Sequence, residues 1–151
     1  MIALTATALF TPLDRIEQPL LLVEDRVIAE VTSRARREVP GNCRSVDFGE
    51  GILAPGFIDI HIHGGAGHDV MEAGADALPP IERLLAAHGV SSYFPTTVTA
   101  PMEATLSALA RLADAIDAAE KSSARDLRAR PLGIHLEGPF ISHKRRGVHP
   151  P

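Results

Sequence analysis

From Gly56 to Gly65 the chain reads GFIDIHIHGG, with Ile58, Ile60 and Ile62 alternating with Asp59, His61 and His63. Successive side chains of a strand point to opposite faces, so this period-two pattern predicts a strand over 56–63. One face is apolar, and the other carries a carboxylate and two imidazoles. The pattern then predicts a helix over about 78–88, a strand over 90–96, a helix over about 101–120 and a strand over 131–136. In the second helix Leu106, Leu109, Leu112 and Ile116 recur at helical spacing, with Arg111, Asp114 and Asp117 between them, which predicts a core-facing stripe. Pro101 suits its first turn, and Thr99 is placed to cap it. Strand–helix–strand–helix–strand is the order of a parallel sheet with right-handed crossovers.

The earlier part follows a different pattern. Residues 2–10, 20–24, 26–32 and 44–48 are runs rich in Val, Leu, Ile and Thr, broken by Pro, Asp and Gly, and they predict short strands. LLLVEDRVIAEV reads as a hairpin about Glu24–Asp25–Arg26, although the usual turn glycine is missing. The expected organisation is a β-rich piece over 1–54 followed by a βα-repeat unit over 55–151. Three repeat strands fall short of the eight that close a barrel in roughly 250 residues. The expectation is therefore the front part of a larger protein.

Composition narrows the class. The 151 residues are 45% hydrophobic and 23% charged, with a formal net charge of −4. This balance offers no basic footprint for nucleic acid. The single Cys43 excludes an internal disulfide and fits a reducing compartment. The opening MIALTATALFTPLDR has no basic residue ahead of its apolar run, so it reads as a strand rather than a signal peptide. No apolar run approaches the roughly 20 residues of a membrane helix. A soluble, cytoplasmic protein with neither a membrane nor a nucleic-acid partner is expected.

Two strand ends carry candidate chemistry. His61 and His63, at i and i+2, reach the same side and are placed to converge on one metal ion or on an ion and its neighbour. The alternative is two polar residues at a solvated rim. Asp59 is placed to orient a ligand histidine or to cap the strand. Gly64, Gly65 and Gly67 suit either a tight turn or close approach of the backbone to a ligand. HGGAGHD is no phosphate loop, because the Gly-Lys-Ser/Thr ending is absent. In GIHLEGPF, His135 and Glu137 again stand at i and i+2, with Glu137 at the strand end before Gly138–Pro139. An inward carboxylate there needs a cation or a hydrogen-bond network, and a salt-bridged glutamate is the plain alternative. Lys144, Arg145 and Arg146 read as a solvated loop or an attractor of anions. His149 is a candidate for gripping a polar ligand, and Thr96 and Thr97 either line the same mouth or cap the following helix. His68, His88 and His143 have no evident partner. Ser91 and Ser92 lack a nucleophile's context.

APGFIDIHIHGGAGHD, YFPTTVTAP and GIHLEGPFISHKRRGVHPP, in this order and at these separations, closely resemble the N-acetylglucosamine-6-phosphate deacetylase family of the amidohydrolase superfamily. The first motif alone indicates the superfamily, and His-Leu-Glu-Gly-Pro-Phe followed by Gly-Val-His-Pro decides the family. The resemblance implies an α/β fold, the front part of a distorted TIM (β/α)8 barrel preceded by strands of a small β-sandwich domain. It implies that Glu137 is a metal ligand, and that His61 and His63 match a position where some members hold a second metal. Val148 and His149 match a substrate-contacting pair. The implied reaction is hydrolysis of the acetamide of N-acetylglucosamine 6-phosphate to glucosamine 6-phosphate and acetate. The implied cofactor is a divalent metal, Zn²⁺ or Fe²⁺, and the implied assembly is a homodimer. The family's general acid/base Asp and two further metal-binding histidines are expected beyond residue 151, so the 151-residue chain alone is expected to be inactive. The alternatives are another metal-dependent amidohydrolase, acting on a cyclic amide or a different N-acyl sugar phosphate, or a non-catalytic fragment.

Overall fold

The computed structural model describes residues 1–72, 77–121 and 127–150, and it divides into two compact units at Pro55/Gly56. The first unit is all β. Its strands are β1 (Ile2–Thr5), β2 (Ala8–Phe10), β3 (Arg15–Glu17), β4 (Pro19–Glu24), β5 (Val27–Ser33), β6 (Arg44–Asp47) and β7 (Ile52–Leu53). They form a four-stranded sheet in the order β5-β4-β1-β6 and a three-stranded sheet in the order β3-β2-β7. The single strand expected over 2–10 is two strands. After β1 the chain leaves one sheet for the other, with the Thr7 N–H donating to Gly51 O and the Gln18 N–H donating to Thr7 O. The four apolar residues Pro19 to Leu22 are all buried, and Leu20 and Leu22 pack with Ala3, Val39 and Cys43. β4 and β5 form the expected antiparallel hairpin. Its turn places Asp25 and Arg26 at φ 48° and 67°, the left-handed pair that a two-residue hairpin turn requires even without glycine.

The second unit is α/β. It contains β8 (Phe57–Ile62), β9 (Gly64–Gly65), β10 (His68–Asp69), α1 (Leu78–Ala87), β11 (Val90–Pro95), α2 (Met102–Lys121), β12 (Arg130–Pro131) and a 3₁₀ turn at His143–Arg145. The sheet order is β12-β11-β8, with both pairings parallel. α1 starts at two prolines, whose missing N–H groups cost nothing in a first turn. It stops at Gly89, φ +80°, where the His88 Nδ1–H donates to Leu84 O at 2.9 Å and gives that histidine a capping role. The core gathers Val70, Leu78, Ile81, Leu85, Tyr93, Leu112 and Ala129. Burial of side chains such as Leu78, Ile81 and Leu112 stabilises by about 1.5–3 kcal/mol each.

Four local expectations are corrected. Leu106 is 58% exposed, and the buried face of α2 runs instead through Thr105, Ala108 and Leu112. Small Ala108 allows the helix to lie close, which turns Leu106 outward. The third repeat strand is only two residues long, because Pro95 and Pro131 offer no N–H to a ladder; beyond it a single bridge joins Thr96 to His135. Ile58 and Ile60 are 58% and 66% exposed on an edge strand, so only Ile62 of that row packs on the core. Thr99 does not cap α2: its Oγ1 is buried without a hydrogen-bond partner among the described residues.

Glu82 of α1 is buried within this core. The Tyr93 hydroxyl donates to its Oε1 at 3.3 Å, and Arg128 lies 3.3 Å from its Oε2. Burial pushes the Glu82 carboxyl above its ordinary range, against the pull of Arg128 and the Tyr93 hydrogen bond. It pushes the Tyr93 hydroxyl up as well.

Candidate metal centre

β8 ends at Ile62, and the short β9–β10 hairpin follows immediately, turning through Ala66 and Gly67 at φ 53° and 81°. Gly64 and Gly65 thus belong to a turn-back and pair with Asp69 and His68. His61 and His63 remain on one side, with ring centroids 4.8 Å apart and Nε2 atoms 3.0 Å apart.

Glu137 reaches the same place from the far side of β11. Its Oε2 lies 3.3 Å from His61 Nε2 and 3.1 Å from His63 Nε2. Three donor atoms from residues up to 76 positions apart therefore converge, all within 4.8 Å of one another. Gly138 follows at φ +76°, and a Cβ there would collide with the Thr99 hydroxyl. Glycine thus lets the chain turn sharply just after the carboxylate.

The surroundings orient this group. His63 Nδ1 lies 3.1 Å from the Thr96 carbonyl, which can only accept, so Nδ1 donates there and Nε2 is the nitrogen that faces Glu137. Thr96 is fully buried, and its hydroxyl accepts from the Ile62 N–H and donates to Phe94 O, so it ties strands together rather than lining a mouth. Asp59 Oδ1 accepts from the backbone N–H of His61 at 3.0 Å, a local cap rather than an orienter of an imidazole. Burial pushes the Glu137 carboxyl up, but the hydrogen bond and charge of His149, then His61 and His63, outweigh it and hold the group below its ordinary range.

The donor set fits a divalent cation: one carboxylate oxygen and two imidazole nitrogens. Ligand atoms around one tetrahedral zinc ion, each about 2.0–2.1 Å from it, stand about 3.3–3.4 Å apart. The three here stand 3.0–3.3 Å apart.

His149 joins the cluster from the segment after the 3₁₀ turn. Its Nε2 lies 3.2 Å from Glu137 Oε1, the oxygen that the other two histidines do not face. Arg146 fixes this segment by donating from Nη1 to the His149 carbonyl at 3.0 Å. Val148 beside it is fully exposed, and Lys144 and Arg145 are solvated. His135, to which the sequence assigns no role, packs edge-on against His61 with centroids 4.7 Å apart. The one signal pointing to it was its i, i+2 spacing from Glu137.

No protein-family model matches the chain. It is 41% identical over 100 residues to an N-acetylgalactosamine-6-phosphate deacetylase of Escherichia coli O157:H7, a match covering 66% of this chain and 25% of that protein. It is 45% identical over 101 residues to an N-acetylglucosamine-6-phosphate deacetylase of Bacillus subtilis, covering 67% of this chain and 25% of that one. The chain thus spans about a quarter of the length of these curated relatives. In structure it is similar to an N-acetyl-D-glucosamine-6-phosphate deacetylase variant of Mycobacterium smegmatis solved with N-acetyl-D-glucosamine-6-phosphate. That likeness has a TM-score of 0.79 at 29% identity and covers 99% of this chain and 36% of the other.

Proposed function

We propose, from the chain's membership of the N-acetylglucosamine-6-phosphate deacetylase family, of whose curated members it spans about a quarter, that it forms part of a metal-dependent hydrolase of an N-acetylated amino-sugar phosphate. The product pair is glucosamine 6-phosphate and acetate. The observation that carries the reading is the convergence of Glu137, His61 and His63 at the end of a parallel strand pair. The second unit is then the front of a (β/α)8 barrel, the first unit is part of a small β-sandwich, and the residues beyond 151 supply the general acid/base Asp. A cytoplasmic homodimer is the expected assembly; among the described residues no helix is long and apolar enough to cross a membrane.

Glu137, His61 and His63 hold the cation, Zn²⁺ or Fe²⁺. When bound, such an ion polarises an amide carbonyl and makes water more acidic. The chain's own groups prepare that site. The Thr96 carbonyl holds the His63 ring so that its Nε2 faces inward. The His149 imidazole holds the second carboxylate oxygen, which orients the Glu137 plane, and His149 and Val148 lie at the rim to meet the sugar. A second reading keeps the chemistry and changes the epimer. The Escherichia coli relative acts, by its name, on N-acetylgalactosamine 6-phosphate, and its 41% identity does not separate it from the 45% of the glucosamine-type relative.

Equilibrium dialysis against Zn²⁺ tests the site. The 151-residue chain should take up about one ion, and Glu137→Ala or His61→Ala should lose it; equal uptake by all three would refute the reading. In a zinc-supplemented acetate-release assay the chain alone should match its Glu137→Ala variant.

A further inference from the structure

The segment carrying Glu137 is weakly tied to the sheet. β12 pairs over two residues, and beyond it only a few backbone bonds hold the chain to β11: Leu132 N–H to Tyr93 O at 2.9 Å, His135 N–H to Pro95 O and Thr97 N–H to His135 O, both at 3.0 Å. His61 sits on β8 and His63 just past its end, on the other side of β11. Convergence of the three donors therefore depends on the register between two strands that do not pair with each other.

The His135 side chain spans that gap. His135 Nδ1 lies 2.9 Å from the Ile60 carbonyl of β8. A carbonyl only accepts, so Nδ1 is the donor. The same ring meets His61 edge-on, with centroids 4.7 Å apart and planes at 75°. The backbone of His135 is thus fixed to β11, its ring to the backbone of β8, and its edge to the imidazole of a donor residue. We infer that His135 is a positioning residue: it clamps β8 to the Glu137 segment and sets the rotamer of His61, and so pre-forms the cation site. The inference rests on the metal reading proposed above. Partners that orient metal-binding side chains without touching the ion usually change affinity about 10–100-fold when removed.

The probe is Co²⁺, titrated into the metal-free chain and followed by its visible d–d absorption, with folded content checked by circular dichroism. His61→Ala sets the background, including any contribution of Cys43. His135→Leu keeps the bulk and removes the donor; it should weaken His61-dependent Co²⁺ binding about 10–100-fold and alter the d–d spectrum. His135→Asn carries an amide N–H near the place of Nδ1 and should restore affinity to within about threefold of wild type, whereas His135→Gln, whose amide falls nearer Nε2, should not. Unchanged binding in His135→Leu overturns the inference while leaving the metal reading intact. Equal behaviour of Asn and Gln overturns it too, and this comparison remains decisive if the Leu variant fails to fold. Absence of His61-dependent binding in the wild-type chain overturns the metal reading itself.

Discussion

His149 Nε2 stands 3.2 Å from Glu137 Oε1, while Oε2 of the same carboxylate faces His61 and His63. The carboxylate is thereby held from both sides before any ligand arrives, and the hydrogen bond and charge of His149, with His61 and His63, hold its pKa below the ordinary range against the opposing effect of burial. In the metal-free chain His149→Ala should raise the Glu137 pKa toward the ordinary value of about 4.3. Carbon-13 titration of the side-chain carboxyl is the direct measurement. A pKa that stays low in the variant would assign the effect to the other two histidines.

Glu82 predicts the opposite sign. Burial raises its folded-state pKa more than Arg128 and Tyr93 lower it, so the folded chain holds this proton to higher pH than the unfolded chain does. Its contribution to stability is therefore greatest below about pH 4.3, and declines as pH rises from there through the raised folded value. The slope cannot exceed about 1.4 kcal/mol per pH unit. Glu82→Gln keeps the shape and should abolish this decline. Urea unfolding of both proteins from about pH 4 to 7 measures the difference, and parallel curves would rule the effect out.

Gly138→Ala should destabilise the segment after Glu137. The φ of +76° is strained for alanine by about 1–3 kcal/mol, and its Cβ would collide with the buried hydroxyl of Thr99. The expected signature is paired: a lower unfolding midpoint, together with weaker zinc uptake as the carboxylate shifts. Adding Thr99→Ala, which removes that hydroxyl, should recover part of the midpoint. If the double variant gains nothing, the collision is not the cause.

The sequence showed the donors more readily than their meeting. Period-two alternation at 57–62 and helical spacing at 102–121 were legible because each is set within one element. That Glu137 crosses to β8, and that His149 folds back onto it, depends on β11 lying between them and on the Arg146 tether. Neither leaves a mark in local spacing. Leu106 was misjudged for a related reason: the buried side of α2 is chosen by the sheet beneath it, and Ala108 with Thr105 permits the closer approach. The third strand looked longer than it is because an apolar run conceals what Pro95 and Pro131 withhold from the ladder. The two glycines after His63 pointed to a turn or a ligand contact, and pairing with β10 decides for the turn.

β8, with Phe57, Ile58 and Ile60 open to water, is an edge strand. Its consequence is colloidal. An apolar strand whose outer edge has no partner among the described residues invites a like strand beside it. The 151-residue chain should therefore lose monomer steeply as its concentration rises, and sulfate, which strengthens apolar association, should hasten the loss. How the material is stored and concentrated will decide how much cation-binding protein an assay contains.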